Sequence, residues 1–223
     1  MSAAETVFLL DVDNTLIDND AIQADLSRHL EESFDPACRD HYWAIFEELR
    51  AELGYADYLG ALQRYRGETR NDHQLLLMSL FLIDYPFAKR LYPGALEVVR
   101  RCRAAGQASI LSDGDVVFQP RKIERSGLWD ALDGNVLIYV HKELELASIE
   151  RLTPARHYVM VDDKIRILSA MKKVWGHRLT TVFVRQGHYA NNAAEVAGHP
   201  PADLTIETIA ELAAVNLAAL GHG

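Results

Sequence analysis

Short runs of consecutive apolar residues alternate along most of this chain with stretches whose apolar positions recur every three or four residues. The continuous runs predict buried strands at Thr6 to Leu10, Gln107 to Leu111, Val136 to Val140, Tyr158 to Val161 and Leu179 to Val184. The helical spacing predicts helices near Ala95 to Ala105, Val116 to Ser126, Lys142 to Leu152, Ile165 to Trp175 and Glu207 to Leu220. Alternation of this kind predicts an α/β fold, a Rossmann-like parallel sheet with helices on both faces and its active residues at the carboxyl ends of the strands.

One interval breaks the alternation. From about Asp20 to Tyr85 no strand signal occurs, while Ile22, Leu26 and Leu30, then Tyr42, Ile45, Phe46 and Leu49, then Leu76, Leu80 and Ile83 keep helical spacing. The pattern predicts a helical cap over residues 19–86, inserted into a core made of residues 1–18 and 87–223. Because it leaves the sheet just after the first strand, such a cap is placed to act as a lid over the strand ends.

The candidate chemistry begins at that same strand end. In VFLLDVDNTL, residues 7–16, an apolar run meets Asp11 and Asp13, whose side chains at i and i+2 point the same way in an extended chain. Two carboxylates that close can divide roles: one attacks an electrophile, while the other, its proton affinity raised by its neighbour, exchanges protons with the leaving group. Later strand ends carry their own polar groups. Ser112 and Gly114 follow the second strand, with a glycine that lets backbone N–H groups approach an anion. Lys142 follows the third, as a point charge suited to phosphate. Asp162 and Asp163 follow the fourth, and are hard oxygen ligands of the type magnesium prefers.

Composition narrows the partners. The chain has 223 residues, 49% of them hydrophobic and 25% charged, enough for one core plus an insertion. A formal charge of -9 without any basic run argues against a nucleic-acid surface. The first apolar stretch is too short for a signal peptide or membrane span, and two distant cysteines, Cys38 and Cys102, suggest neither a disulfide framework nor a zinc site. The expectation is a cytoplasmic protein that engages neither membrane nor nucleic acid. Arg64, Arg66 and Arg70 in the insertion read first as surface cations, and RQGHY, residues 185–189, reads first as a structural loop that can border the site.

Taken in order, DVDNT, Ser112, Lys142 and the VDD of residues 161–163 resemble the four motifs of the haloacid dehalogenase superfamily, in members with an α-helical cap after the first motif. The resemblance spans Val7 to about Gly187 and implies a magnesium-dependent reaction. It implies that Asp11 is the nucleophile, carrying a transient aspartyl phosphate, and that Asp13 is the general acid and then the base that activates water. Ser112 and Lys142 would hold the phosphoryl oxygens, Gly114 would give them room, and Thr15 would brace the loop. Mg2+ would be bound by Asp11, the backbone carbonyl of Asp13, and one or both of Asp162 and Asp163. Two departures stand out: no acid occurs from Lys164 to Met171, where many relatives have one, and Glu143 stands where relatives often have proline.

Within the superfamily, halide leaves without a proton, whereas an alkoxide benefits from an acid such as Asp13. The resulting expectation is a phosphatase acting on a small phosphorylated metabolite. A phosphomutase on a sugar phosphate, or a non-catalytic phosphoacceptor or binding protein on the same fold, are the alternatives; oligomeric state is open.

Overall fold

All five apolar runs become strands, and the reason is visible in what covers them. In the computed structural model, which describes residues 3–68 and 72–221 apart from the side chains of 72–74, β1 (Ala4–Leu10), β2 (Gln107–Asp113), β3 (Val136–Tyr139), β4 (Ala155–Asp162) and β5 (Leu179–Val184) join a sixth, β6 (Leu204–Ile206), in one sheet. The order is β3-β2-β1-β4-β5-β6 and every pairing is parallel. Side chains alternate across the sheet. Phe8, Leu10, Val159, Val161, Val182 and Val184 enter one apolar cluster, while Val7, Leu9, Tyr158, Met160 and Phe183 enter another on the opposite face. Helices α5 (Ala95–Ala105) and α6 (Phe118–Ser126), with the short α7 (Leu128–Ala131) behind them, cover the first face; α8 (Leu146–Leu152) and α9 (Ile165–Trp175) cover the second.

Between β1 and β2 the chain forms α1 (Asn19–Ser33), α2 (Pro36–Leu53), α3 (Tyr58–Glu68) and α4 (Asp72–Ile83). Their apolar stripes, including Leu26, Tyr42, Phe46 and Leu62, pack on one another and run into the cluster on the first sheet face. Aromatic contacts make the seam: Phe46 to Tyr58 at 4.8 Å between centroids, Tyr58 to Phe118 at 5.1 Å, and Phe118 to Phe87 at 5.7 Å. No described helix is long and apolar enough to cross a membrane.

The differences from the sequence pattern are local. The helix expected from Val116 starts at Phe118, after a turn in which the Asp115 carboxylate accepts from the N–H groups of Val117 and Phe118. The one expected from Lys142 opens as a 3-10 turn, Lys142–Leu144, before α8. The tail expected to be one helix, Glu207 to Leu220, is instead a 3-10 segment, Ile209–Ala214, an extended Val215, and a short helix, Leu217–Leu220. Ile209 and Leu212 are both fully buried, and a 3-10 turn brings residues three apart onto one side, so burial overrides helix propensity there.

Candidate active site

Asp11 stands just past β1, at the point where the chain order in the sheet reverses: β2 and β3 lie on one side of β1, β4 and β5 on the other. Open parallel sheets leave a crevice at that point. Asp11 N–H donates to the Val161 carbonyl at 3.0 Å, extending the ladder one residue and bringing Asp11 beside the end of β4. The following loop folds back at once, with the N–H groups of Leu16 and Ile17 both donating to the Val12 carbonyl at 2.9 Å and Asn14 held at φ +59°. Asparagine tolerates that left-handed conformation, and its side-chain oxygen accepts from Asn19 N–H at 3.0 Å and Asp20 N–H at 3.2 Å, so the loop also caps α1. Gly187, at φ +69°, packs against it; a Cβ there would lie 2.5 Å from the Asn14 Cβ.

Four of the expected residues meet in a buried ionic cluster. Lys142 Nζ donates to Asp11 Oδ1 at 2.5 Å and to the Leu111 carbonyl at 3.1 Å, and lies 2.7 Å from Asp162 Oδ2 as an ion pair outside hydrogen-bonding alignment. Its three acidic neighbours, Asp11, Asp162 and Asp113, outweigh burial and hold the ammonium pKa well above the ordinary lysine value. Asp162 Oδ1 accepts from Lys164 N–H at 2.8 Å. Thr15 Oγ1 donates to Asp11 Oδ2 at 3.1 Å and accepts from Asp163 N–H at the same distance, tying the loop after β1 to the end of β4.

Asp163 is different: it is buried, and neither carboxylate oxygen has a hydrogen-bond partner. Carboxylate oxygens of Asp11, Asp162 and Asp163 lie within 4.8 Å of one another. Burial, then the charges of its neighbours, pushes Asp163 well above the usual carboxylate range, and burial pushes Asp162 to about 6. A buried, unpaired carboxylate is costly unless a cation meets it. The geometry therefore fits a divalent ion, with oxygen-only donors of the kind magnesium takes.

Asp13 faces the cleft with its side chain a quarter exposed, and its nearest partner is one the sequence did not reveal. Lys122 Nζ, completely buried on α6, lies 2.6 Å from Asp13 Oδ1 and 3.1 Å from Asn19 Oδ1. Gln119, one turn earlier, reaches Asp13 Oδ2 at 3.4 Å and donates to Ser112 Oγ at 2.9 Å. Ser112 Oγ in turn donates to the Asp113 carbonyl at 3.3 Å. Gly114 behaves otherwise than expected: its N–H donates to the Tyr139 carbonyl at 2.9 Å, so that amide is spent on the sheet, and its missing side chain makes room for Gln119, whose Cβ would be 2.7 Å from an added one.

The cleft beside these groups has a volume of about 450 Å³ and is walled by Asp13 and Asn19, by Arg50 of α2 and Tyr55 of the loop after it, and by Lys164 and Tyr189 from the sheet side. Two of its walls are joined by Arg50 Nη1 to Tyr189 Oη at 2.6 Å, and His188, also in its wall, bonds Asp20 Oδ1 through Nδ1 at 2.6 Å. The RQGHY segment thus borders the cleft through His188 and Tyr189, while Gln186 is turned inward and bonds Asn14, Thr15 and Ile209 backbone. Arg64 pairs with Glu52 on the surface, and Arg70 lies outside the described residues. Glu143 takes Arg166 Nη1 at 2.5 Å, which links the loop after β3 to α9.

A sequence profile of the haloacid dehalogenase-like hydrolases matches residues 6–174. Among curated proteins nothing matches. Among solved structures, a haloacid dehalogenase-like hydrolase from Burkholderia xenovorans LB400 is 63% identical, with a TM-score of 0.90 over 95% of this chain and 99% of that one. A magnesium-bound HAD-hydrolase from Bacillus subtilis (15% identity, TM-score 0.61, covering 93% and 96%) and the L-2-haloacid dehalogenase from Xanthobacter autotrophicus (19%, 0.59, 93% and 96%) share the fold. With the profile spanning most of the chain and so high an identity across nearly the full length, the protein belongs to the haloacid dehalogenase-like hydrolase family.

Proposed function

We propose that this hydrolase is a magnesium-dependent phosphomonoesterase acting on a small phosphorylated metabolite. The observation that carries the reading is Asp13: a second carboxylate, open to the cleft and held by a buried lysine, where a reaction that expels halide would have no use for a proton donor. In this reading Asp11 attacks phosphorus, the phosphorus–oxygen bond to the leaving group breaks, and Asp13 delivers its proton to the departing oxygen. Water then attacks the aspartyl phosphate, giving its proton back to Asp13 and freeing Asp11 and phosphate. Ser112 and Lys142 hold the phosphoryl oxygens throughout.

Asp163, whose oxygens have no other partner, is the residue best able to hold the ion, together with Asp11 and the Asp13 carbonyl, while Asp162 is committed to Lys142 and Lys164. The ion, when bound, would offset the charge shared by the phosphoryl group and these carboxylates. Charge supports this: the five carboxyl groups of Asp11, Asp13, Asp113, Asp162 and Asp163 share only three lysines, Lys122, Lys142 and Lys164, so the cluster is rich in acids and favours an added cation. The two cysteines are unpaired, in keeping with a cytoplasmic setting.

Phosphate release from p-nitrophenyl phosphate and a panel of metabolite phosphates, in magnesium and in chelator, tests the reading, with halide release from a 2-haloacid as the counter-assay. Metal-dependent phosphate release is expected; halide release without phosphate release would overturn it. A thermal melt supplies a second prediction. A carboxyl whose folded pKa lies above its unfolded value takes up protons on folding, so Asp163, held well above the usual carboxylate range by burial and by the charges of Asp162 and Asp11, favours the metal-free fold at low pH and loses that contribution as pH rises through its folded pKa. Magnesium must displace those protons. Its stabilising shift in Tm is therefore expected to be larger at pH 8 than at pH 5, and a shift independent of pH would contradict the ligand set.

A further inference from the structure

Lys122 is a buried cation of the site that neither the phosphoryl-binding nor the metal-binding role absorbs. Of the other buried positions of α6, Phe118, Ile123 and Ser126 pack into the fold, while Gln119 turns toward Asp13 and Ser112 as Lys122 does toward Asp13. Burying an ammonium costs several kcal/mol unless its partners compensate. The partners here are Asp13 Oδ1 and Asn19 Oδ1, and the rings of Phe118 at 5.3 Å and Tyr58 at 6.0 Å enclose the rest of the group. The polar chain continues into the capping helices: Asn19 Nδ2 donates to Tyr58 Oη at 3.2 Å, and Gln23 Nε2 donates to the same oxygen at 2.9 Å.

We infer that Lys122 is a positioning residue that holds the Asp13 carboxylate in register with the leaving group and, through Asn19 and Tyr58, makes that alignment depend on the seated helical cap. The inference rests on the phosphatase reading and adds a residue to it. An ammonium offers directed donors at the tip of a side chain anchored in the core, so one Asp13 oxygen is fixed while the other stays on the cleft side with Gln119. A cap that lifts takes Asn19 and Tyr58 with it and removes the second support of Lys122.

The test compares two leaving groups. An alkyl phosphate needs protonation as it departs, whereas p-nitrophenolate leaves well without it, so a misaligned Asp13 penalises the first far more. In Lys122→Met, kcat/KM for glycerol phosphate or another alkyl ester that the enzyme turns over is expected to fall about 100-fold, and that for p-nitrophenyl phosphate less than about 5-fold. In Asn19→Ala, which keeps the lysine, the ratio of the two is expected to shift in the same direction by at least about 3-fold, and this variant decides the matter if Lys122→Met does not fold. Equal losses on both substrates would assign Lys122 to structure alone and overturn the inference, as would an unchanged alkyl rate. A wild-type protein that releases phosphate from neither ester would overturn the phosphatase reading first and the inference with it.

Discussion

Replacing Asp11 with asparagine is expected to lower phosphate release by a factor on the order of 10⁴ or more while leaving the metal-free protein at least as heat-stable as before. The two halves come from different physics. An amide cannot attack phosphorus as a carboxylate does, and no other described carboxylate occupies the end of β1 with its partners on both sides, Lys142 and Thr15. The fold, however, loses one negative charge from a cluster that has too many, and Lys142 keeps Asp162 at 2.7 Å as its counter-ion. Steady-state assays and a melt of the same sample check both. Activity surviving in this variant would remove Asp11 from the nucleophile role; a sharp fall in Tm would mean that the Asp11–Lys142 pair serves chiefly to hold the sheet ends together.

Lys142→Met is expected to be the most damaging change to stability, at about 3–5 kcal/mol in chelator. The side chain it removes is buried, and three carboxylates, Asp11, Asp162 and Asp113, all rely on its charge. Left without it, those acids must protonate or draw in water. Magnesium is expected to restore part of the loss, because the ion meets some of the same oxygens. Denaturant unfolding with and without the metal measures this; equal stability of variant and wild type in chelator would show that the cluster is neutralised by some other means.

How much of this was legible beforehand depended on whether a signal was local. β1, β4 and β5 are buried on both faces, so their apolar runs are continuous and unmistakable. β6 was not legible: three residues after Pro200 and Pro201 carry too little pattern to separate from a loop. The tail misled because alanine and leucine at helical spacing invite a helix, whereas the buried Ile209 and Leu212 set its path. At the site, strand-end acids and Lys142 could be picked out because parallel sheets concentrate function at those ends. Lys122 left a faint local trace, a lysine on the arc of α6 that also carries Phe118, Ile123 and Ser126. Its partner is 109 residues away, and no spacing rule reaches that far. Gly114 reads in the sequence as room for an anion, whereas in the fold that room adjoins Gln119, a neighbour that no local pattern announces.

The central place of β1 in the sheet has a kinetic corollary. Val7 pairs with Gln107 on one side and Tyr158 on the other, so the strand that carries Asp11 is completed only after two long chain closures, each entropically slow. The acids of the cluster are scattered along the extended polypeptide and come within reach of one another only as β4 docks. Their mutual repulsion is therefore felt late on the folding route, and raising the ionic strength or adding divalent cations should speed the final docking step more than the early collapse.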